Sequence, residues 1–187
     1  MGLFFTSVEC KSNFVCGSWQ SVVFNEFEAM MLGEASPLKS VAEYESVFWK
    51  ILQDLRRADS DPWPSGVPQD LDHHLWEFCF AGEPIFVVCN TPAHVLRQSR
   101  RSSTLTLTFQ PRWVFDAILG TEAAAANAFK TVGERLLPYD MLPKHPSLGK
   151  YGNPAVKEYK QYFLDEANAE APCPFKSLSQ HVLETQE

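Results

Sequence analysis

The chain has 187 residues, of which 45% are hydrophobic and 21% charged, with a formal net charge of −7 and a pI near 5.2. That length suits one domain with a sizeable core, and the acidic balance argues against nucleic acid as a partner, because domains that bind it are usually basic. No apolar run approaches the roughly 18 to 20 residues that span a bilayer, residues 1–10 lack the basic start of a signal peptide, and the five scattered cysteines form no CxxC pair. The expected setting is cytoplasmic, with no membrane partner.

In chain order, residues 24–31 and 41–57 read as helices. In the second, Val41, Tyr44, Phe48, Ile51, Leu52 and Leu55 recur at helical spacing and form one apolar stripe. Ser40 with Glu43 three places on predicts a capping box. Residues 59–68 hold three prolines and cannot be helix or central strand, and Trp63 is expected to pin them down. Residues 76–80 and 85–89 flank the turn Ala81-Gly82-Glu83-Pro84 and predict a hairpin, with residues 105–109 as a third strand. Pro111 opens a short helix carrying Trp113, Val114, Ile118 and Leu119, and residues 122–137 form a longer alanine-rich helix ended by Pro138. Residues 139–154 read as a proline- and glycine-rich loop, residues 156–164 as a last helix, and the tail after Asp165 as loose apart from Phe175 and Leu178, which could dock. The expected fold class is α+β: a small antiparallel or mixed sheet flanked by helices. One domain is expected over residues 1–187, with 1–20 and 166–187 peripheral.

Residues 87–116 carry the strongest functional signal. An apolar run ends at Asn90-Thr91-Pro92; His94 follows, then Arg97, Arg100 and Arg101, and then the alternating run that leads into Gln110-Pro111-Arg112. Loops leaving a rigid strand commonly carry sites. A lone imidazole is a poor zinc ligand set but all that haem iron needs on its proximal side. His94 is therefore read three ways: a structural or surface histidine, an axial ligand, or a catalytic base. Arg97, Arg100 and Arg101 are either a solvated helix face or an anchor for propionate, phosphate or carboxylate. Gln110, Arg112, Gln161 and Tyr162 are polar groups among aromatics, so they either cap and pack helices or line a pocket. His73 and His74 are adjacent and cannot easily share one metal, and His145 reads as a loop residue. A Cys89–His94 nucleophile pair lacks a supporting signature, and no GxGxxG, P-loop, HExxH or GxSxG motif occurs.

The segments IFVVCNTPAHVLRQSRR, LTFQPRWVFD, HPSLGKYG and KEYKQYF together resemble the YqcI/YcgG family, over roughly residues 70–165. The resemblance implies a haem-dependent oxygenase that N-hydroxylates a small guanidino or amino compound, such as a guanidino amino acid, in small-molecule biosynthesis. It implies haem b and an electron donor, with His94 as the iron ligand and Cys89 as second choice. Arg97, Arg100, Arg101 and Arg112 would then face the cofactor, and Gln110, Gln161 and Tyr162 the substrate. The chain departs from the family pattern at Thr91 and Arg112, where members often carry histidine. Those departures keep a second expectation open: a non-catalytic ligand-binding or interaction module that has lost the haem.

Overall fold

A computed structural model describes the backbone of residues 19–24 and 27–32, and backbone and side chains of residues 39–169. Phe175 and Leu178, expected to dock, lie outside the described residues. The fold is α+β. Its sheet, fully antiparallel among the described strands, runs β1 (Trp19–Phe24), β2 (Phe27–Leu32), β5 (Leu105–Pro111), β4 (Glu83–Asn90) and β3 (Phe78–Phe80) in spatial order. A single parallel bridge, Thr91 to Arg101, closes the loop between β4 and β5.

The helix expected over residues 24–31 is instead parts of two strands. Phe24, Phe27, Met30 and Met31 are spaced three and four apart and imitate a helical stripe. Pairing decides otherwise: residues 28–32 lie antiparallel to residues 105–109, so their backbone groups bond along the sheet rather than within a helix. The run Val22-Val23-Phe24 also favours a strand.

The hairpin is present with a tighter turn than expected. Ala81 (φ 53°) and Gly82 (φ 75°) form a two-residue connection, and Phe80 pairs with Glu83. Two successive positive φ angles match the twist of flanking strands. Glycine adopts that geometry readily, whereas alanine at positive φ costs about 1 kcal/mol. The Ala81 N–H is held by the Asp59 carboxylate at 3.1 Å.

Helix α1 (Val41–Ala58) starts at the expected capping box: the Glu43 N–H donates to Ser40 Oγ at 3.3 Å and the Ser40 N–H to Glu43 Oε2 at 2.7 Å. Its stripe packs Phe48 and Leu52, both fully buried, into a core with Phe78, Val87, Cys89, Leu107 and Tyr162. Each such large side chain contributes about 1.5–3 kcal/mol by leaving water. The proline-rich loop that follows is tied down through Trp63, whose indole N–H donates to Val67 O at 2.7 Å.

Helix α2 (Arg112–Ile118) follows Pro111 directly. Helix α3 (Glu122–Tyr139) is capped by Thr121 and continues through Pro138 for one residue more. Residues 156–164 do not form the expected helix; a 3-10 turn covers Glu158–Gln161. Tyr162, Phe163 and Leu164 are buried in succession, which a helix with one solvent face does not permit. The Cys89 N–H donates to Tyr162 O at 3.1 Å and fixes this segment beside β4.

Candidate functional site

Two clusters contain the residues singled out above. The first is the loop between β4 and β5. His94 is fully buried. Its Nε2 lies 2.8 Å from the Leu164 carbonyl, which can only accept, so Nε2 carries the proton. Nδ1 then accepts from the Thr91 hydroxyl at 2.9 Å, and Thr91 Oγ1 accepts the Ala93 N–H at 3.2 Å. Burial holds the imidazole below its ordinary pKa, so the ring is neutral near pH 7.

Arg97 is also buried. Its Nε donates to Asp165 O at 2.8 Å, its Nη2 to Asn168 Oδ1, and its Nη1 faces Asp140 at 3.8 Å. Asp140 in turn accepts from the Ser99 N–H at 2.7 Å and the Ser99 hydroxyl at 2.8 Å. The N–H groups of Val95, Leu96 and Arg97 all point at one carboxylate oxygen of Glu166. His145, expected as a simple loop residue, is buried, with Nε2 3.4 Å from Asp165 Oδ1. The loop is thus a clasp that grips residues 164–168.

Arg100 differs from its neighbours. Its Nη2 makes one long bond, 3.5 Å, to Gln161 O, and its Nε is buried without an acceptor. Among the described residues no carboxylate forms an ion pair with it. Burial pulls its pKa down to about 10, so it stays charged near neutrality. Arg101 is exposed beside the parallel bridge. Arg97 and Arg101 therefore do not share a helix face; the helical spacing shrinks to a 3-10 turn, Gln98–Arg100.

The second cluster surrounds Arg112. Its guanidinium donates from Nε to both oxygens of Glu77, at 3.0 and 2.8 Å, and from Nη2 to Glu77 and Glu158. The guanidinium carbon stands 4.0 Å from the Tyr151 ring centroid and 5.2 Å from that of Phe115. Gln161 Nε2 donates to the other Glu158 oxygen at 3.2 Å, and Gln161 Oε1 accepts the Gly149 N–H at 3.2 Å. Glu77 is fully buried, and that burial pushes its pKa up to about 7. Glu158 is raised for the same reason. The Tyr162 hydroxyl accepts the Phe78 N–H at 3.0 Å and faces Ile85 O at 3.3 Å.

The protein partners of the expected site residues bear on the roles they could take. His94 does not fit an iron ligand as folded, since hydrogen bonds occupy both ring nitrogens, and a ligating imidazole must offer one lone pair to the metal. Cys89 does not fit either: burial pushes its thiol up, away from the thiolate that a metal needs. The same burial argues against a Cys89–His94 nucleophile pair. Arg112, expected at the cofactor, is surrounded by two protein carboxylates. Arg97 is taken by residues 140, 165 and 168. Gln161 and Tyr162 have protein partners for their polar atoms, which brace the cluster. Gln110 lies half-buried in β5 opposite Phe86. His73 and His74 stack at 4.6 Å. Among the described residues no group of three or more His, Cys, Asp and Glu side chains is arranged to hold a metal ion, and no helix is long and apolar enough to cross a membrane.

Sequence reasoning missed Glu77, Glu158, Asp140 and Glu166. An isolated acid carries no periodic or motif signal. The available hint was the pair of segments WEFCF and KEYKQYF, each with a carboxylate inside an aromatic run.

The model of the YqcI/YcgG family matches residues 19–176. Two uncharacterised Bacillus subtilis (strain 168) proteins, YcgG and YqcI, are 45% and 46% identical over 140 and 139 residues, covering 74% of this chain and 55% of each relative. A Streptomyces lavendulae protein named as an N(omega)-hydroxy-L-arginine synthase, DcsA, is 35% identical over 145 residues, 76% of this chain and 54% of that protein. The chain thus spans about half the length of the curated relatives it matches. No solved structure matches it. With the family model covering most of its length, the chain belongs to the YqcI/YcgG family.

Proposed function

We propose that the chain serves N-hydroxylation of a small guanidino or amino compound in small-molecule biosynthesis, as the part that holds the substrate. The likeness to DcsA supplies the reaction class. The observation that carries the reading is Arg100, a half-buried side chain whose Nε is buried without an acceptor and which has no carboxylate partner among the described residues. A buried cation without a counterion is costly, and the carboxylate of an amino acid would relieve it through a charge-assisted bond. Haem b, with an external electron donor, remains the proposed source of the oxygen chemistry. On this reading its iron is ligated by neither His94 nor Cys89.

The test is the absorbance of the full chain purified with haem supplied. A Soret band is expected, shifted by L-arginine, with the shift weakened at least tenfold in affinity by Arg100→Gln. In His94→Ala the band is expected to persist while the melting temperature falls, since two buried hydrogen bonds and a packed ring are lost, about 2–4 kcal/mol in all. A band that vanishes in His94→Ala with the fold intact would reinstate that ligand. A colourless, well-folded protein would favour the second reading, a non-catalytic module that binds a small ligand. That reading is favoured by one observation: the hydrogen bonds that occupy both His94 nitrogens.

A further inference from the structure

Arg112 stands in surroundings that would suit a guanidinium whatever molecule it belonged to. Glu77 offers both carboxylate oxygens to it, Glu158 offers one, and the Tyr151 and Phe115 rings lie within 4.0 and 5.2 Å of its central carbon. A planar fork meeting carboxylates while stacked on an aromatic face is the geometry that distinguishes guanidinium from ammonium. The walls are fixed from behind. Gln161 holds Glu158 at 3.2 Å, and the Tyr151 hydroxyl donates to Leu75 O at 2.9 Å.

The occupant is less enclosed than the two carboxylates it meets. The side chains of Glu77 and Glu158 are 0% and 3% exposed, whereas that of Arg112 is 13% exposed. The Arg112 side chain therefore lies nearer to solvent than the carboxylates that hold it. Arg112 is the first residue of α2, a helix that buries few side chains. In α2 the one buried residue is Val114, while Trp113, Asp116, Ala117 and Ile118 are exposed. The Arg112 side chain can swing out while α2 stays in place, with Phe115 held against the Phe86 ring at 5.4 Å. Replacing one guanidinium by another leaves the local charge unchanged, so the exchange requires no proton uptake or release.

We propose that Glu77, Glu158, Tyr151 and Phe115 form a guanidinium-recognition cage that Arg112 fills in the ligand-free chain and yields to the guanidino group of an arginine-type ligand. The proposal deepens the guanidino-substrate reading given above and rests on it for the ligand's identity. Glu77, with its pKa near 7, adds to the cage's demand for a cation as pH rises. In this scheme Arg112 keeps two buried carboxylates compensated until a ligand arrives.

Two measurements test it on the full chain. In Arg112→Ala, methylguanidinium at millimolar concentration should bind saturably and raise the melting temperature by several degrees, with methylammonium at least tenfold weaker. Equal effects of the two cations, or no saturable binding by either, would overturn the cage. Should that variant not fold, the wild-type Arg112 Nε–H resonance decides. Its protection from solvent exchange should drop several-fold with saturating L-arginine and stay unchanged with L-lysine. An unchanged resonance in L-arginine overturns the exchange. Failure of the haem and L-arginine spectral test while the cage still binds methylguanidinium would remove the enzymatic reading and leave the cage standing.

Discussion

Arg97 and Arg112 are both buried arginines, yet they are satisfied in opposite ways. Arg97 meets a backbone carbonyl and an amide oxygen closely, with Asp140 at a looser 3.8 Å, and it ties a loop to residues 165–168. Arg112, just past the end of β5, meets two carboxylates and two rings. Neutral acceptors fix a shape without demanding a particular charge. A pair of buried carboxylates around one cation leaves an excess negative charge, which makes that region responsive to pH and to other cations. The clasp reads as architecture and the cage as recognition.

Breaking the clasp should have the largest effect. Arg97→Ala removes the tie to Asp165 and Asn168 and leaves the buried Asp140 carboxylate with its Ser99 bonds but without its cation. Removing one partner of a buried pair costs about 3–5 kcal/mol, measurable by urea unfolding. A loss below about 1 kcal/mol would show that the clasp does not hold the fold together.

The pH profile sharpens the contrast next. Glu77 has a folded pKa of about 7 against an ordinary 4.5. Between those values the folded state binds more protons than the unfolded one, so stability falls as pH rises through that window, by on the order of 3 kcal/mol if Glu77 acts alone. His94 and His145 are depressed below 6.5 by burial, so their contribution is present above 6.5 and is lost as pH falls below it. The two regions thus pull in opposite directions. Glu77→Gln should shrink the decline toward pH 7, leaving the part that Glu158 contributes, and keep the acid-side loss, as read from unfolding midpoints at a series of pH values. An undiminished decline in Glu77→Gln would assign it elsewhere.

The smallest effect calibrates the others. Lys50 and Asp54 form a 2.7 Å ion pair with side chains 71% and 44% exposed. Lys50→Ala should change stability by no more than about 0.5 kcal/mol in the same urea experiment.

What the sequence disclosed follows from the range of the forces involved. Helix α1 was legible because Ser40, Glu43 and the Val41-to-Leu55 stripe are local signals that agree with one another. The β3–β4 hairpin was legible for the same reason. Residues 24–31 were not, because three- and four-residue apolar spacing fits a helix until β5 supplies partners from residues 105–109. Residues 156–164 failed likewise, as burial on several sides overrode a helical period. The arginine loop was recognised as a centre of polar contacts, but whether its groups face a ligand or the protein depends on Asp140 and Glu166, at sequence separations of about 41 and 70. No local pattern encodes such partners.

Helix α3 has a consequence of another kind. Ala125 is its one buried residue, while Phe129, Val132, Leu137 and Tyr139 are exposed, Leu137 by 74%. Its helicity therefore draws on alanine content, the Thr121 cap and local pairs such as Lys130–Glu134 rather than on burial among the described residues. In such an element shape and surface are decoupled. Substitutions along the exposed stripe can alter what the helix adheres to without touching what keeps it helical, so drift and selection act on that face free of the constraint that folding places on the core.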